Sequence, residues 1–219
     1  MKNKPIIGIA LFILFSTFIS QNKFTINKFK IKEIKIENNE ILGDQELINI
    51  FSFLYGKNIN LLNDYELKKN IDQNSFIEKI EIKKIFPDKL VIKIFEREPL
   101  AILIDKNKKK FFLGKNIDLI EYRKILKYEN LPIVEGEQKE FKILFNNLIK
   151  INFPTEKILS YHLFNLNRWD IKMTDQIILK LPEKNYEEKL INYMSIKDKT
   201  NFEKYKIFDY RLNKQLILR

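Results

Sequence analysis

The clearest signal in the chain is the changing period of its apolar positions. Ile6 to Ile19 runs without a charged side chain behind Lys2 and Lys4. Fourteen helical residues span about 21 Å against a hydrocarbon core of about 30 Å, so a signal-peptide core competes with a membrane anchor. Counting from Lys4 to Lys23 gives 19 helical steps, about 28 Å, with both lysines placed to snorkel to opposite interfaces. No A-x-A-like site is present, and cleavage after Ser20 would put Phe18 at −3. The expectation is an uncleaved anchor over residues 5–22, a cytoplasmic tail over 1–4 and the bulk of the chain outside the cytoplasm.

Beyond residue 27 the pattern alternates between periods of two and of 3.6. Ile34-Lys35-Ile36-Glu37 reads as a strand that Asn38-Asn39 breaks. Asp44 is the expected N-cap of a helix presenting Leu47, Ile48, Phe51 and Leu54, closed by Gly56-Lys57-Asn58, and Asp64 opens a second helix through Leu67 to Ile71. Ile77 to Phe86, a Pro87-Asp88 turn and Leu90 to Phe95 form a hairpin, with Leu90, Ile92 and Ile94 on one face. The order strand, helix, helix, strand, strand is one small α+β module.

After Glu96-Arg97-Glu98-Pro99 the chain reads as short strands: Leu100 to Ile104 pairing with Lys110 to Leu113, then Leu131 to Val134, Ile158 to Leu166, Trp169 to Met173, Gln176 to Leu181, Tyr205 to Tyr210 and Gln215 to Leu218. Two amphipathic helices interrupt them, one on Phe141, Leu144, Phe145, Leu148 and Ile149, the other on Tyr186, Leu190, Ile191 and Met194. The fold class expected is α+β: a transmembrane helix, a β-α-α-β-β domain over 28–97, and a mostly antiparallel β domain over 98–219.

Composition narrows the function. Hydrophobic residues make up 45% of the 219 and aromatics 13%, enough for packed cores. The net charge of +11 raises nucleic-acid binding, but the lysines are scattered and their densest run is Lys108-Lys109-Lys110. With no cysteine, disulfides, thiolate catalysis and cysteine metal sites are excluded. His162 is the single histidine, so no multi-histidine metal site can form. Glu96 and Glu98 suit a solvated junction better than an acid/base pair, and neither G-x-x-x-x-G-K nor H-E-x-x-H occurs. The expectation is no enzyme, cofactor, metal, nucleic acid or small-molecule substrate.

Several strings, in order, resemble the FtsQ/DivIB family of bacterial division proteins over nearly the whole chain. Ile34 to Asn38 resembles the first strand of its POTRA domain, and Gly56-Lys57-Asn58-Ile59 with Leu61-Leu62 the loop between the POTRA helices. The most specific string is Ile85 to Ala101, similar to the proline turn, the last POTRA strand and the E-R-E-P-x-A junction. Leu131-Pro132 with Gly136, Arg168-Trp169-Asp170 and Asp209-Tyr210-Arg211 resemble later strings, whereas Leu113 to Asn116 and Thr174 to Gln176 depart from the family's turns.

The resemblance implies a single-pass inner-membrane protein of the division septum. It implies a scaffold linking early and late division proteins and helping to recruit or regulate septal wall synthesis. Its partners would be FtsB/DivIC-like and FtsL-like proteins, bound by β-augmentation at the last strands. The residues carried over to that interface are Arg168, Tyr210, Arg211, Leu212, Gln215 and Ile217. Leu216 and Leu218 are expected on the core face of the last strand, and Trp169 in the core or at the interface. The competing readings are a membrane-tethered POTRA chaperone for outer-membrane assembly or secretion, and a membrane-anchored DNA-binding protein.

Overall fold

The computed structural model describes residues 8, 9, 12, 13, 27–199, 201–212 and 215–219. No helix among the described residues is long and apolar enough to cross a membrane. The expected anchor at 5–22 lies outside the described residues, apart from Gly8, Ile9, Phe12 and Ile13, which are helical. The chain divides into two compact units, Met1–Glu96 and Arg97–Arg219.

The first unit follows the expected order: β1 (Glu33–Glu37), α1 (Asp44–Phe51), α2 (Asp64–Ile71), β2 (Ile77–Ile85) and β3 (Lys89–Glu96). Its sheet runs β1-β3-β2, with β1 parallel to β3 and β2 antiparallel to it. Leu90, Ile92 and Ile94 are fully buried, and with Leu47 and Phe51 of α1 and Leu67 of α2 they make up the core. Each contributes roughly 1.5–3 kcal/mol by leaving water. Asp44 is not the N-cap. Gly43 holds that place without a side-chain cap, and Asp44 Oδ1 instead accepts from Asn39 Nδ2 at 2.9 Å. α2 is capped by Asn63, whose Oδ1 accepts from the N–H of Tyr65 at 2.9 Å.

Glu96 is not a solvated junction residue. Its carboxylate accepts the backbone N–H groups of Glu40, Ile41 and Leu42 at 2.8, 2.8 and 2.7 Å, tying the end of β3 to the loop that enters α1. A carboxylate is chosen there because three converging donors in a tight loop need a charged, multidentate acceptor. The next residues serve the second unit: Arg97 Nε lies 3.0 Å from Asp118, and Lys115 Nζ 3.5 Å from Glu98.

Among the described residues the second unit is one nine-stranded sheet with two α-helices. Its strands are β4 (Ala101–Ile104), β5 (Lys110–Leu113), β6 (Leu119–Glu121), β7 (Ile133–Glu135), β8 (Ile158–Phe164), β9 (Arg168–Met173), β10 (Ile178–Lys180), β11 (Ile207–Asp209) and β12 (Ile217–Leu218). They lie in the order β12-β11-β10-β9-β8-β7-β4-β5-β6. Five neighbour pairs are antiparallel, while β4 with β7, β7 with β8, and β10 with β11 are parallel. α3 (Gln138–Lys150) is the crossover between β7 and β8, and α4 (Tyr186–Ile196) that between β10 and β11. β8 stops at Phe164 rather than Leu166 because Asn165–Asn167 turn as a 3-10 helix, with Asn167 at φ 51°.

The core side of the sheet is a lateral apolar row: Leu103, Val134, Tyr161, Ile171, Leu179 and Phe208 are successive register partners, all buried. Phe141, Leu144 and Leu148 of α3 and Leu190 and Tyr193 of α4 pack on it. Ile149 and Ile191, expected in the same stripes, are exposed. Trp169 is 3% exposed and its ring centroid lies 6.2 Å from that of Phe141, a core position. Gly136 leaves room for this packing: a Cβ there would come within 2.8 Å of Leu163 Cβ and 3.3 Å of the Trp169 ring.

Candidate partner-binding edge

β12 is the last strand of the sheet and pairs with β11 on one side. The direction of its backbone groups follows from the register. Ile207 and Arg219 exchange both N–H···O bonds, at 2.9 and 3.1 Å. Antiparallel alternation then makes Phe208 and Leu218 the non-hydrogen-bonded pair, and Asp209 and Ile217 the next bonded one. The N–H and C=O of Leu218 therefore point away from β11, toward the open side. Those of Ile217 point inward and hold β12 in the sheet.

The side chains sort the other way. Leu216 and Leu218 pack against the core, as expected for one face, and Ile217 is half-buried on the opposite face beside Asp209. Leu212 is 51% exposed and Gln215 is exposed, in the turn where the N–H of Gln215 donates to the carbonyl of Leu212 at 3.3 Å.

The remaining candidates are engaged inside the molecule. Tyr210 is 4% exposed, and its hydroxyl donates to Asn192 Oδ1 of α4 at 2.9 Å. Burial pushes that phenol up to about 12. The Arg211 fork grips Asp209, Nε to Oδ1 at 2.8 Å and Nη2 to Oδ2 at 2.5 Å. The N–H of Arg211 also donates to Oδ1 at 3.1 Å. These bonds hold the Asp209 carboxyl below the usual carboxylate range in spite of its burial. The D-x-R string is thus a clamp at the end of β11. Arg168 opens β9, and its Nε is buried without a hydrogen-bond partner among the described residues. Arg211, Tyr210, Lys184 and Glu188 line a groove beside the edge.

The outer face carries a row that the sequence did not disclose. Glu135, His162, Asp170, Lys180 and Asp209 are successive lateral partners across β7, β8, β9, β10 and β11. Asp170 sits 3.9 Å from Lys180, and loss of water pushes its carboxyl above the usual range, against the pull of Lys180. Each strand contributes one polar residue between apolar ones, but only the sheet order aligns them. At the far end of the row His162 Nδ1 lies 2.8 Å from Glu135 Oε2, and Nε2 lies 3.0 Å from Ser160 Oγ.

That chain has the order of a nucleophile, base and acid. Yet Ser160 is buried on an interior strand paired on both sides, so its neighbouring N–H groups belong to the ladders and cannot line an oxyanion hole. The chain orients a ring. Among the described residues no group of three or more His, Cys, Asp or Glu could hold a metal.

Comparison with known proteins identifies both units. Residues 29–97 match the model of the FtsQ-type POTRA domain, and residues 103–211 that of the C-terminal domain of cell division protein FtsQ/DivIB. Cell division protein FtsQ of Rickettsia bellii is 30% identical over 197 residues, which cover 86% of this chain and 68% of that protein. FtsQ of Rickettsia felis is 26% identical, covering 96% and 83%. Cell division protein DivIB of Clostridium botulinum is 33% identical over 137 residues, covering 62% and 53%. The open edge, the D-x-R clamp and the POTRA unit thus sit in a chain that belongs to the FtsQ/DivIB family of cell division proteins.

Proposed function

We propose that this chain is a non-enzymatic scaffold of the division machinery, anchored in the inner membrane at the septum by residues 5–22. An extended segment of a FtsB/DivIC-like partner, together with an FtsL-like protein, adds to the sheet beside β12. The bound scaffold helps recruit or regulate septal wall synthesis. The single observation that carries this reading is the direction of the Leu218 backbone: a donor and acceptor pointing to the open side of an edge strand, without a partner among the described residues. Leu212 and Gln215 supply exposed side-chain contacts at its end. Arg168, with a buried nitrogen lacking a hydrogen-bond partner among the described residues, is the residue suited to a partner carboxylate. Arg211 and Tyr210 act by shaping the end of β11 rather than by direct pairing. Exposed Ile9, Phe12 and Ile13 on helical residues support the anchor.

Capture of the exported part of the FtsB/DivIC-like protein by the full chain tests the reading. Leu218→Pro removes the outward donor while leaving the bonds to β11, a position an edge strand tolerates. Ile217→Pro removes an inward bond and acts on the fold. The expected result is lost capture with a nearly unchanged thermal midpoint for Leu218→Pro, and a lowered midpoint for Ile217→Pro. A folded Leu218→Pro chain that captures the partner as well as wild type sinks the proposal.

A further inference from the structure

One end of the first unit gathers exposed aromatic and cationic groups, several of them without a partner among the described residues. The chain enters there: Phe29 meets Phe86 edge-on at 6.3 Å, and the N–H of Ile31 donates to Lys57 and that of Gly56 to Ile31, each at 2.9 Å. Lys32 reaches Asp88 at 3.0 Å, so residues 28–33, 55–58 and the β2–β3 turn form one surface. Phe86 is 56% exposed at the tip of that turn, with Ile85 and Tyr55 exposed near it.

Six lysines surround these apolar groups. Lys32, Lys57 and Lys89 are paired, with Asp88, Glu66 and Glu33. Lys28, Lys30 and Lys84 are exposed and have no ion-pair partner among the described residues. The surface is therefore net cationic and carries an exposed phenylalanine at its tip. An isolated soluble unit gains nothing from that combination, whereas an anionic lipid interface accepts both parts.

Chain continuity fixes where this surface is held. Seven residues separate Ile19, the last of the apolar run, from Asn27, so eight backbone steps give a reach of at most about 28 Å. A surface tethered that closely meets lipid headgroups at high effective concentration, so a weak affinity suffices. We infer that the Phe86 end of the first unit docks on the anionic lipid surface beside its own anchor. Phe86 enters the headgroup layer, and Lys28, Lys30 and Lys84 face lipid phosphates. Docking would set the direction in which the unit leaves the membrane. This inference rests on the anchor proposed above.

The chain lacks cysteine, so one introduced thiol labels one place. The full chain is reconstituted in phosphatidylcholine vesicles with or without phosphatidylglycerol. It carries an environment-sensitive fluorophore at Phe86→Cys or, as control, at Gln45→Cys. Gln45 is exposed at the start of α1, beside the loop held by Glu96 at the opposite end of β3. A quencher on the lipid chains is expected to act several-fold more strongly at 86 than at 45, in anionic vesicles only.

Lys28→Gln with Lys30→Gln and Lys84→Gln should shift docking by roughly a hundredfold, about fivefold per lysine. Alkaline extraction of the same vesicles scores the anchor separately. An anchored chain quenched equally at 86 and 45 overturns the inference. So does an apolar emission shift at 86 that ignores the lipid quencher, lipid charge and the lysine variant, which would assign the surface to a protein, such as a second copy. A chain washed off by alkali overturns the anchor, and the inference with it.

Discussion

Replacing Glu96 by alanine isolates the contribution of one carboxylate to the POTRA unit. Three backbone donors converge on it at 2.7–2.8 Å, those of Ile41 and Leu42 partly shielded from water and that of Glu40 exposed. A hydrogen bond to a charged group contributes about 1.5–3 kcal/mol net, and a shielded donor left unmade loses a comparable amount. The Glu40 donor regains water, so the two shielded ones dominate and the expected loss is about 3 kcal/mol. For a unit of this size each 1 kcal/mol moves the midpoint by roughly 4–8 °C, giving a fall on the order of 15 °C. Glu96→Gln, which keeps one oxygen acceptor and loses the charge, should fall between the two. Calorimetry on the full chain reads this as a shift of the first unit's transition alone. A shift under about 3 °C for Glu96→Ala would mean that the loop into α1 holds its shape without the carboxylate, and the reasoning fails.

Other expectations are briefer. Gly136→Ala drives a Cβ to 2.8 Å from Leu163 Cβ and should cost the second unit about 2 kcal/mol in chemical denaturation, with Gly136→Ser no better. Asp209 has a lowered native pKa, so its contribution is present above about pH 4 and is lost as pH falls through the native value. Arg211→Ala keeps the backbone N–H and Lys180 beside Asp209, so it should weaken that acid sensitivity and lower stability at pH 7 by about 1 kcal/mol, the fork being 38% exposed. Asp170 has a raised native pKa, so its ionised form opposes folding above about pH 4. Asp170→Asn should therefore raise the midpoint at pH 7, with the gain shrinking in acid.

The POTRA unit was largely legible because its signals are local. The alternation through Leu90, Ile92 and Ile94 and the Pro87-Asp88 turn mark a hairpin whose register follows from its own residues. The second unit was legible as elements but not as a sheet. Its order depends on α3 and α4 carrying the chain over to parallel positions, and nothing in Ile133-Val134-Glu135 says that His162 will lie beside Glu135. The three residues of β6 are too few to show a period. Glu96 looked like a surface charge because the donors it serves lie 54–56 positions upstream.

Of the candidate interface, Leu212 and Gln215 are exposed. Tyr210 is core because α4 supplies Asn192 to its hydroxyl, a tertiary contact without a local signature. The inward direction of Ile217 and the outward direction of Leu218 follow from a register that appears only once β12 is paired.

The edge reading is tested most directly by amide exchange at two neighbouring residues, with and without the exported part of the FtsB/DivIC-like protein. In the free chain the N–H of Ile217 should exchange slowly and that of Leu218 fast. The account predicts that the partner slows Leu218 by at least tenfold and leaves Ile217 within about twofold, the mark of a new strand on the open side. A partner that binds while Leu218 exchanges as fast as before would contradict it and place the contact elsewhere on the chain.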